Sequence, residues 1–575
     1  MADPERVNLV RARAGPLLWL GAAPAALARQ AAGEWVGSPL HRLSLGGPRP
    51  RGFLAAPRQA RPADAETGQA LLNGTFTLAG QTLEVGPQGD PWSRASPSRA
   101  FALALHRFDW LRDLMAVGEA GDAPALRLAL EWRRVFGRWN PFAWSGEALE
   151  PRVAALAGAG RRLGAVASDA EAALLAESLA RQARRLLQLA REPSRAAERL
   201  AIVAAAGAAL SGPAGERLMS AALARLPAAL AKAVLADGVH ASRSPQAGME
   251  LLFDLLALDD ALVQRGRPAP ENLSRAIDRL TATLRFFTLP DNRLAAFQGG
   301  GAASARRVSA ARAHDDEDAL TIQPVREAPH GGYQRLDGRS LHVMADAGRP
   351  ARGAWSLAAC GQPLAIEVVC GRDRLITGVQ WGPDAADFQA ARLAAGGSTA
   401  ELGEGAAGAP LTGLLAFAYG PRLVGGAREV EARRRESETG VWVEMAHDGW
   451  LESTGLTHER RLFLDKETDE LRGEDRFVPG DEALAEQVAV AIRFHLAPEV
   501  RASLARDQRS VLLKGASKVG WWLRNDAAEV AVEPSVVFED GVPRRSTQVV
   551  LRGRLRADRG GRVRWKLAAA EKPAG

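Results

Sequence analysis

The sequence predicts an α+β protein of two large domains, an all-helical domain followed by an antiparallel β-sandwich, and three observations carry that reading. The chain has 575 residues, about twice the roughly 250–300 residues at which a single hydrophobic core stops growing. Its apolar period changes from that of helices to that of strands near residue 330. Between the two patterns lies a small, charged, glycine-bounded stretch, residues 299–330, which reads as a linker.

Residues 1–100 are rich in Pro, Gly and Arg and read as an irregular lead-in. One alternating segment there, Leu71–Val85, predicts a hairpin turning at Asn73-Gly74 or at Ala79-Gly80. From 101 to 298 the periods are helical: Leu175, Leu179, Ala183, Leu186 and Ala190 share one face, and so do Leu273, Ile277, Leu280 and Leu284. Ser244-Pro245 supplies an N-cap and a first-turn proline for a helix whose apolar face is Met249, Leu252, Phe253 and Leu256. Consecutive helices with short loops predict antiparallel hairpins curling into a barrel-like domain. From 331 to 575 the period is two, clearest in Val488, Val490, Ile492, Phe494 and Leu496. Hairpins are predicted with turns at Asp465-Lys466-Glu467 and at Lys514-Gly515, and many short strands in succession mean a large sandwich.

Composition excludes several classes. Hydrophobic residues are 47% and charged residues 25%, as in a globular protein rather than a disordered or fibrous one. No run approaches the roughly 18–20 apolar residues of a membrane-spanning helix, and the apolar segment Gly15–Pro24, preceded by Arg11 and Arg13, reads as an amphipathic helix rather than a leader. The net charge is +7, but only six basic residues are lysine, and the arginines mostly alternate with acids. No nucleic-acid stripe is present, and the charge leaves a mild preference for polyanionic ligands. The two cysteines, Cys360 and Cys370, make neither a metal cage nor a disulfide framework.

Local sequence narrows the reading. Asp237-Gly238-Val239-His240-Ala241-Ser242-Arg243-Ser244-Pro245 resembles the DGxHxxRSP element of the heparinase II/III-like polysaccharide lyases. Leu289-Pro290-Asp291-Asn292 with Gln298-Gly299-Gly300-Gly301 is similar to the loop that closes that family's toroid. His106-Arg107-Phe108-Asp109-Trp110, Gly332-Tyr333-Gln334-Arg335-Leu336, His447-Asp448-Gly449-Trp450, Gly455–Arg461 and Glu533-Pro534-Ser535 follow the family's order. The resemblance covers residues from about 70 to 555. It implies an N-terminal (α/α) toroid packed on a large antiparallel β-sandwich, with an acidic polysaccharide as partner in the cleft between them. It also suggests the cell envelope or periplasm as compartment, a cytoplasmic location following if the missing leader is taken at face value, and leaves homo-oligomerisation open.

The chemistry so implied is β-elimination: a uronate carboxylate is neutralised, a base takes the C5 proton, and an acid protonates the leaving oxygen. The resemblance implies His240, His447 and His458 as catalytic residues, and Arg243, Asn292, Tyr333 and Trp450 as substrate-binding residues. It also marks departures. The family's tyrosine, expected near Pro290, has no counterpart, because the chain's two tyrosines are Tyr333 and Tyr419. Sandwich histidines are replaced at Ala394–Thr399 and at Ala359–Gln362, and Thr377–Trp381 supplies no aspartate for the divalent metal of some members, so no cofactor or metal is carried over. Trp132, Trp139, Trp144, Trp442, Trp450, Trp521 and Trp522 are sugar-stacking candidates or core fillers. Glu250 and Asp254, four apart, are a hydrolase pair or a solvated helix face, and Asp315–Asp318 read as solvating linker residues. The alternative to a lyase is a glycan-binding or envelope-polysaccharide assembly protein that kept the scaffold and lost catalysis.

Overall fold

Antiparallel helices occupy the first half of the computed structural model, which describes residues 15–315, 325–481, 484 and 486–570. Arg11, Arg13 and Asp316–Asp318 lie outside the described residues. The toroid is built from consecutive helices between Arg99–Arg107 and Glu271–Phe287. Its hub is Ala196–Ala209, where every residue from Ala197 to Ala209 is buried. The sequence AAERLAIVAAAGAA explains this, because small side chains let the helices Gly146–Val166, Asp169–Leu189, Gly212–Leu223 and Pro245–Gln264 approach closely on all sides. Leu175, Leu179, Ala183 and Leu186 are buried on one face of Asp169–Leu189, each leucine contributing on the order of 2 kcal/mol.

The lead-in is more regular than its composition suggests. It holds a helix, Pro16–Gly37, and the hairpin Thr75–Leu78 with Gln81–Glu84, which turns at Ala79-Gly80, both residues with positive φ. The linker stretch contains a helix of its own, Ala305–Arg312, capped by Ser304.

The second half is a sandwich of two antiparallel sheets. One has eight strands, in the order Val430–Glu436, Gly440–His447, Leu456–Asp465, Glu470–Pro479, Gly561–Ala569, Gly520–Asn525, Ser510–Lys514 and Arg501–Leu504. The other has nine, with Gln487–Leu496 near its centre and Tyr333–Asp337 towards one edge. Val441, Val443, Leu462 and Leu464 of the first sheet share a core with Ile492 and Phe494 of the second. Strand Leu456–Asp465 alternates strictly, so His458 and Arg460 point inward with Leu456, Leu462 and Leu464.

Polar contacts lock the domains together. The Arg243 guanidinium pairs with Asp346 and donates to the Gly331 carbonyl at 2.7 Å. Asp237 accepts from the Gly331 amide at 2.7 Å, and Arg374 pairs with Asp291 at 2.8 Å. The helix Pro16–Gly37 packs Ala22 and Ala26 against Leu411, Leu415 and Ala418 of the sandwich, and the Tyr419 hydroxyl donates to the Leu18 carbonyl at 3.1 Å.

Candidate functional site

Between toroid and sandwich lies a cavity of about 2030 Å³. Its wall carries thirteen arginines, nine carboxylates, no lysine, one histidine (His240) and one tyrosine (Tyr419). Most arginines are paired: Arg61 with Glu250 and Asp254, Arg107 with Asp384, Arg195 with Glu150 and Glu198, Arg307 with Glu250. Arg58, Arg99, Arg161, Arg293 and Arg422 pair with no carboxylate of the described residues. The wall therefore presents uncompensated positive charge.

Local sequence places His240 on the floor. Helix Leu226–Ala233 ends, and the chain reverses through Asp237-Gly238, where φ is +86° at Gly238 and the Arg279 carbonyl leaves no room for a Cβ. Val234 and His240 then pair across the turn, and Ser244 caps Pro245–Gln264 by accepting from the Ala247 amide. The Ser242 amide donates to His240 Nδ1 at 3.2 Å, and the Ser242 hydroxyl, 2.7 Å away, donates to the same atom. The proton is thereby placed on Nε2. That atom is buried with no hydrogen-bond partner and faces Glu198 Oε1 at 3.6 Å. Burial, aided by Arg195, pushes the His240 pKa down to about 3, so the ring is neutral at physiological pH.

Around His240 runs a chain of ion pairs. Arg199 joins Glu192 to Glu150, and Arg195 joins Glu150 to Glu198. Burial raises the Glu198 pKa, and Glu198 Oε2 has no partner. Further along, burial raises Glu250, but Arg307 and Arg61 outweigh it and hold that carboxyl at about 2, while burial leaves Asp254 at about 6. Glu250 and Asp254 are thus paired members of the cleft wall rather than a solvated face.

The other expected site residues are placed elsewhere. Arg243, with φ +66°, spends its guanidinium on Asp346 and the Gly331 and Gly348 carbonyls and lies over the Tyr333 ring. Tyr333 is fully buried, and its hydroxyl donates to the Arg243 carbonyl at 2.6 Å. Both residues join the domains. Asn292 is the exposed left-handed residue of a turn, and its neighbour Arg293 is the one on the cleft wall. Trp450 is sealed in the sandwich core. Of the seven tryptophan candidates none lines the cavity; Trp355 and Trp381 do.

His447 and His458 do face each other, as directly paired residues of neighbouring strands, but inside the sandwich. The Gly449 amide donates to His447 Nδ1 at 3.0 Å, which puts the His447 proton on Nε2, aimed at His458 Nδ1 at 3.2 Å. His458 in turn donates to Asp475 at 2.8 Å, which also accepts from Arg460 and from the Trp565 indole. Every link is buried, and neither histidine reaches the cavity. The family's divalent metal does not fit either. Among the described residues no group of three His, Cys, Asp or Glu could hold an ion, and Glu367 beside Thr377 is taken up by Arg374. No helix of the described residues is long and apolar enough to cross a membrane.

A helical toroid closed onto an antiparallel sandwich over a charged cleft defines the class of the heparinase-type polysaccharide lyase scaffold. The crystal structure of heparinase III superposes with a TM-score of 0.67 at 13% identity, covering 96% of this chain and 94% of that one. Heparan sulfate lyase HepC from Pedobacter heparinus superposes at 0.55 and 13% identity over 90% of this chain and 87% of that one. The sequence profile described as "Heparinase II/III-like, C-terminal" matches residues 322–566. FtsZ-localized protein C of Caulobacter vibrioides (strain NA1000 / CB15N) is 51% identical over 567 residues, 97% of each chain. The protein belongs to the heparinase II/III-like family.

Proposed function

We propose that this protein binds an acidic polysaccharide in the cleft and does not cleave it by β-elimination. One observation carries the reading: the cleft offers anion-binding arginines in surplus, while its one tyrosine, Tyr419, donates its hydroxyl to the Leu18 carbonyl and no sandwich histidine of the described residues lines it. His240 itself is neutral, its one ring lone pair is taken by Ser242 and its buried Nε2–H faces Glu198, so it takes up no proton from C5. Elimination requires a base at C5 and an acid at the leaving oxygen, and the histidine pair that would supply them is spent inside the sandwich.

Calorimetric titration with polygalacturonate, alginate, heparosan and hyaluronan tests this. At least one binds, the affinity falls as salt rises, and no unsaturated-uronate absorbance appears. Arg99→Ser with Arg161→Ser lowers the affinity about tenfold, the value of one charge-assisted contact of about 1.5 kcal/mol. An absorbance rise with any of the four overturns the non-cleaving reading; absence of binding to all four overturns the glycan reading.

The 51% identity to FtsZ-localized protein C across 97% of the chain favours a second, compatible reading, that this protein also localises with FtsZ. A fluorescent fusion that fails to coincide with FtsZ in dividing cells rejects it.

A further inference from the structure

A second cavity, of about 540 Å³, opens on the sandwich beside the helix Pro16–Gly37. Tyr419 and Arg422 line both cavities and so form the partition between them. Four arginines stand around the smaller one, Arg349, Arg352, Arg422 and Arg428, against a single carboxylate on its wall, Glu429. Arg428 is paired with Glu452 at 2.7 Å. Arg349, Arg352 and Arg422 form no ion pair with any described residue. Arg422 Nε is buried without a hydrogen-bond partner. One side is formed by Gly425-Gly426, which carry no side chain. Three guanidiniums gathered on one small cavity repel one another, and the arrangement is relieved by an anion between them.

We infer that this annex holds an anionic group of the same polymer that occupies the cleft, so that the chain passes Tyr419 and Arg422 from the first cavity into the second. The inference rests on the polysaccharide reading above and adds a direction and a length requirement to it. The annex is a second contact point across the partition of Tyr419 and Arg422, and one ligand chain would span both. A ligand long enough to reach both points gains by effective concentration, and one that fills the cleft alone does not.

The test is titration of wild type and of Arg349→Ser/Arg352→Ser with a tetramer and a dodecamer of galacturonate. Both substituted residues are exposed, and an unchanged melting temperature verifies the fold. Wild type is expected to bind the dodecamer at least about tenfold more tightly than the tetramer. The double variant loses that gain and keeps its tetramer affinity. Binding of both oligomers with no length gain, or with the same gain in the variant, overturns the annex and leaves the glycan reading standing. Loss of inorganic phosphate binding in the variant without any length gain in wild type identifies a small-ion site and also overturns it. Failure of both oligomers to bind overturns the annex, whereas the glycan reading falls only when all four polymers fail.

Discussion

In the toroid, His240 ends a chain of buried ion pairs that arrives at a cavity; in the sandwich, His447 and His458 end one that arrives nowhere. The two assemblies use the same chemistry. Each holds neutral histidine in a fixed tautomer and joins arginine to carboxylate, fully buried around Asp475 but open to the cavity at Arg195 and Glu192 in the toroid. They differ in closure. Around Asp475 the four groups facing one another satisfy nearly every donor and acceptor, whereas around His240 both His240 Nε2 and Glu198 Oε2 are left without partners. A completed network holds a core together, and an incomplete one beside a cavity is available to a ligand.

The sharpest way to break that comparison is Asp475→Asn. It leaves Arg460 as a buried charge facing only neutral acceptors, the new amide and the Leu364 and Ser398 carbonyls, and should cost about 3–5 kcal/mol in denaturant unfolding while leaving glycan affinity per folded molecule unchanged. A loss of affinity with intact fold would join the sandwich network to the cleft.

Acid separates the two regions next. Burial holds His447, His458 and His495 below the ordinary histidine value, His495 at about 4. Below about pH 6.5 the unfolded chain takes up protons that these folded rings refuse, so stability falls with pH by up to about 1.4 kcal/mol per histidine per unit. Glu367, raised by burial, offsets part of this. In the toroid His240 and His106 have the same sign, at about 3 and about 4, but Asp254 at about 6 and the raised Glu198 oppose them. These carboxyls hold protons that the unfolded chain releases, which stabilises the fold as pH falls towards the ordinary carboxylate range. Hydrogen exchange from neutral to about pH 5 should therefore show strand Leu456–Asp465 losing more protection than helix Ala196–Ala209; equal losses would contradict the assignment.

The smallest effect belongs to a residue expected at the site and found outside it. Asn292→Gly, at a left-handed turn position, should change stability by less than about 1 kcal/mol and leave glycan affinity where it was.

Periodicity made the architecture legible. The helical faces, the Ser244 cap, the turns near Lys466 and Lys514 and the change of period all stand where the pattern puts them. The site was less so. The position of His240 on the cleft wall follows from the turn at Gly238 and the cap at Ser244. Arg243 was misread because a positive charge three residues from a cleft histidine points equally well to a ligand or to another domain, and only Asp346, more than a hundred residues on, decides between them. The sealed histidines carried a usable signal: in LTHERRLFL the alternation puts His458 and Arg460 in register with Leu456, Leu462 and Leu464, which marks an interior network. Arg195, Glu198 and Arg199 left a fainter one, charges opening a helix otherwise of Ala, Leu, Ile and Val.

The contacts that join the domains have a mechanical consequence. Hinging the toroid away from the sandwich would break the Arg243–Asp346 and Arg374–Asp291 pairs together with the hydrogen bonds of Arg243 and Asp237 to Gly331. The cleft is therefore a gauge of set width, not a pair of jaws. For the polysaccharide proposed above, such a mouth would select by thickness before any arginine met a charge.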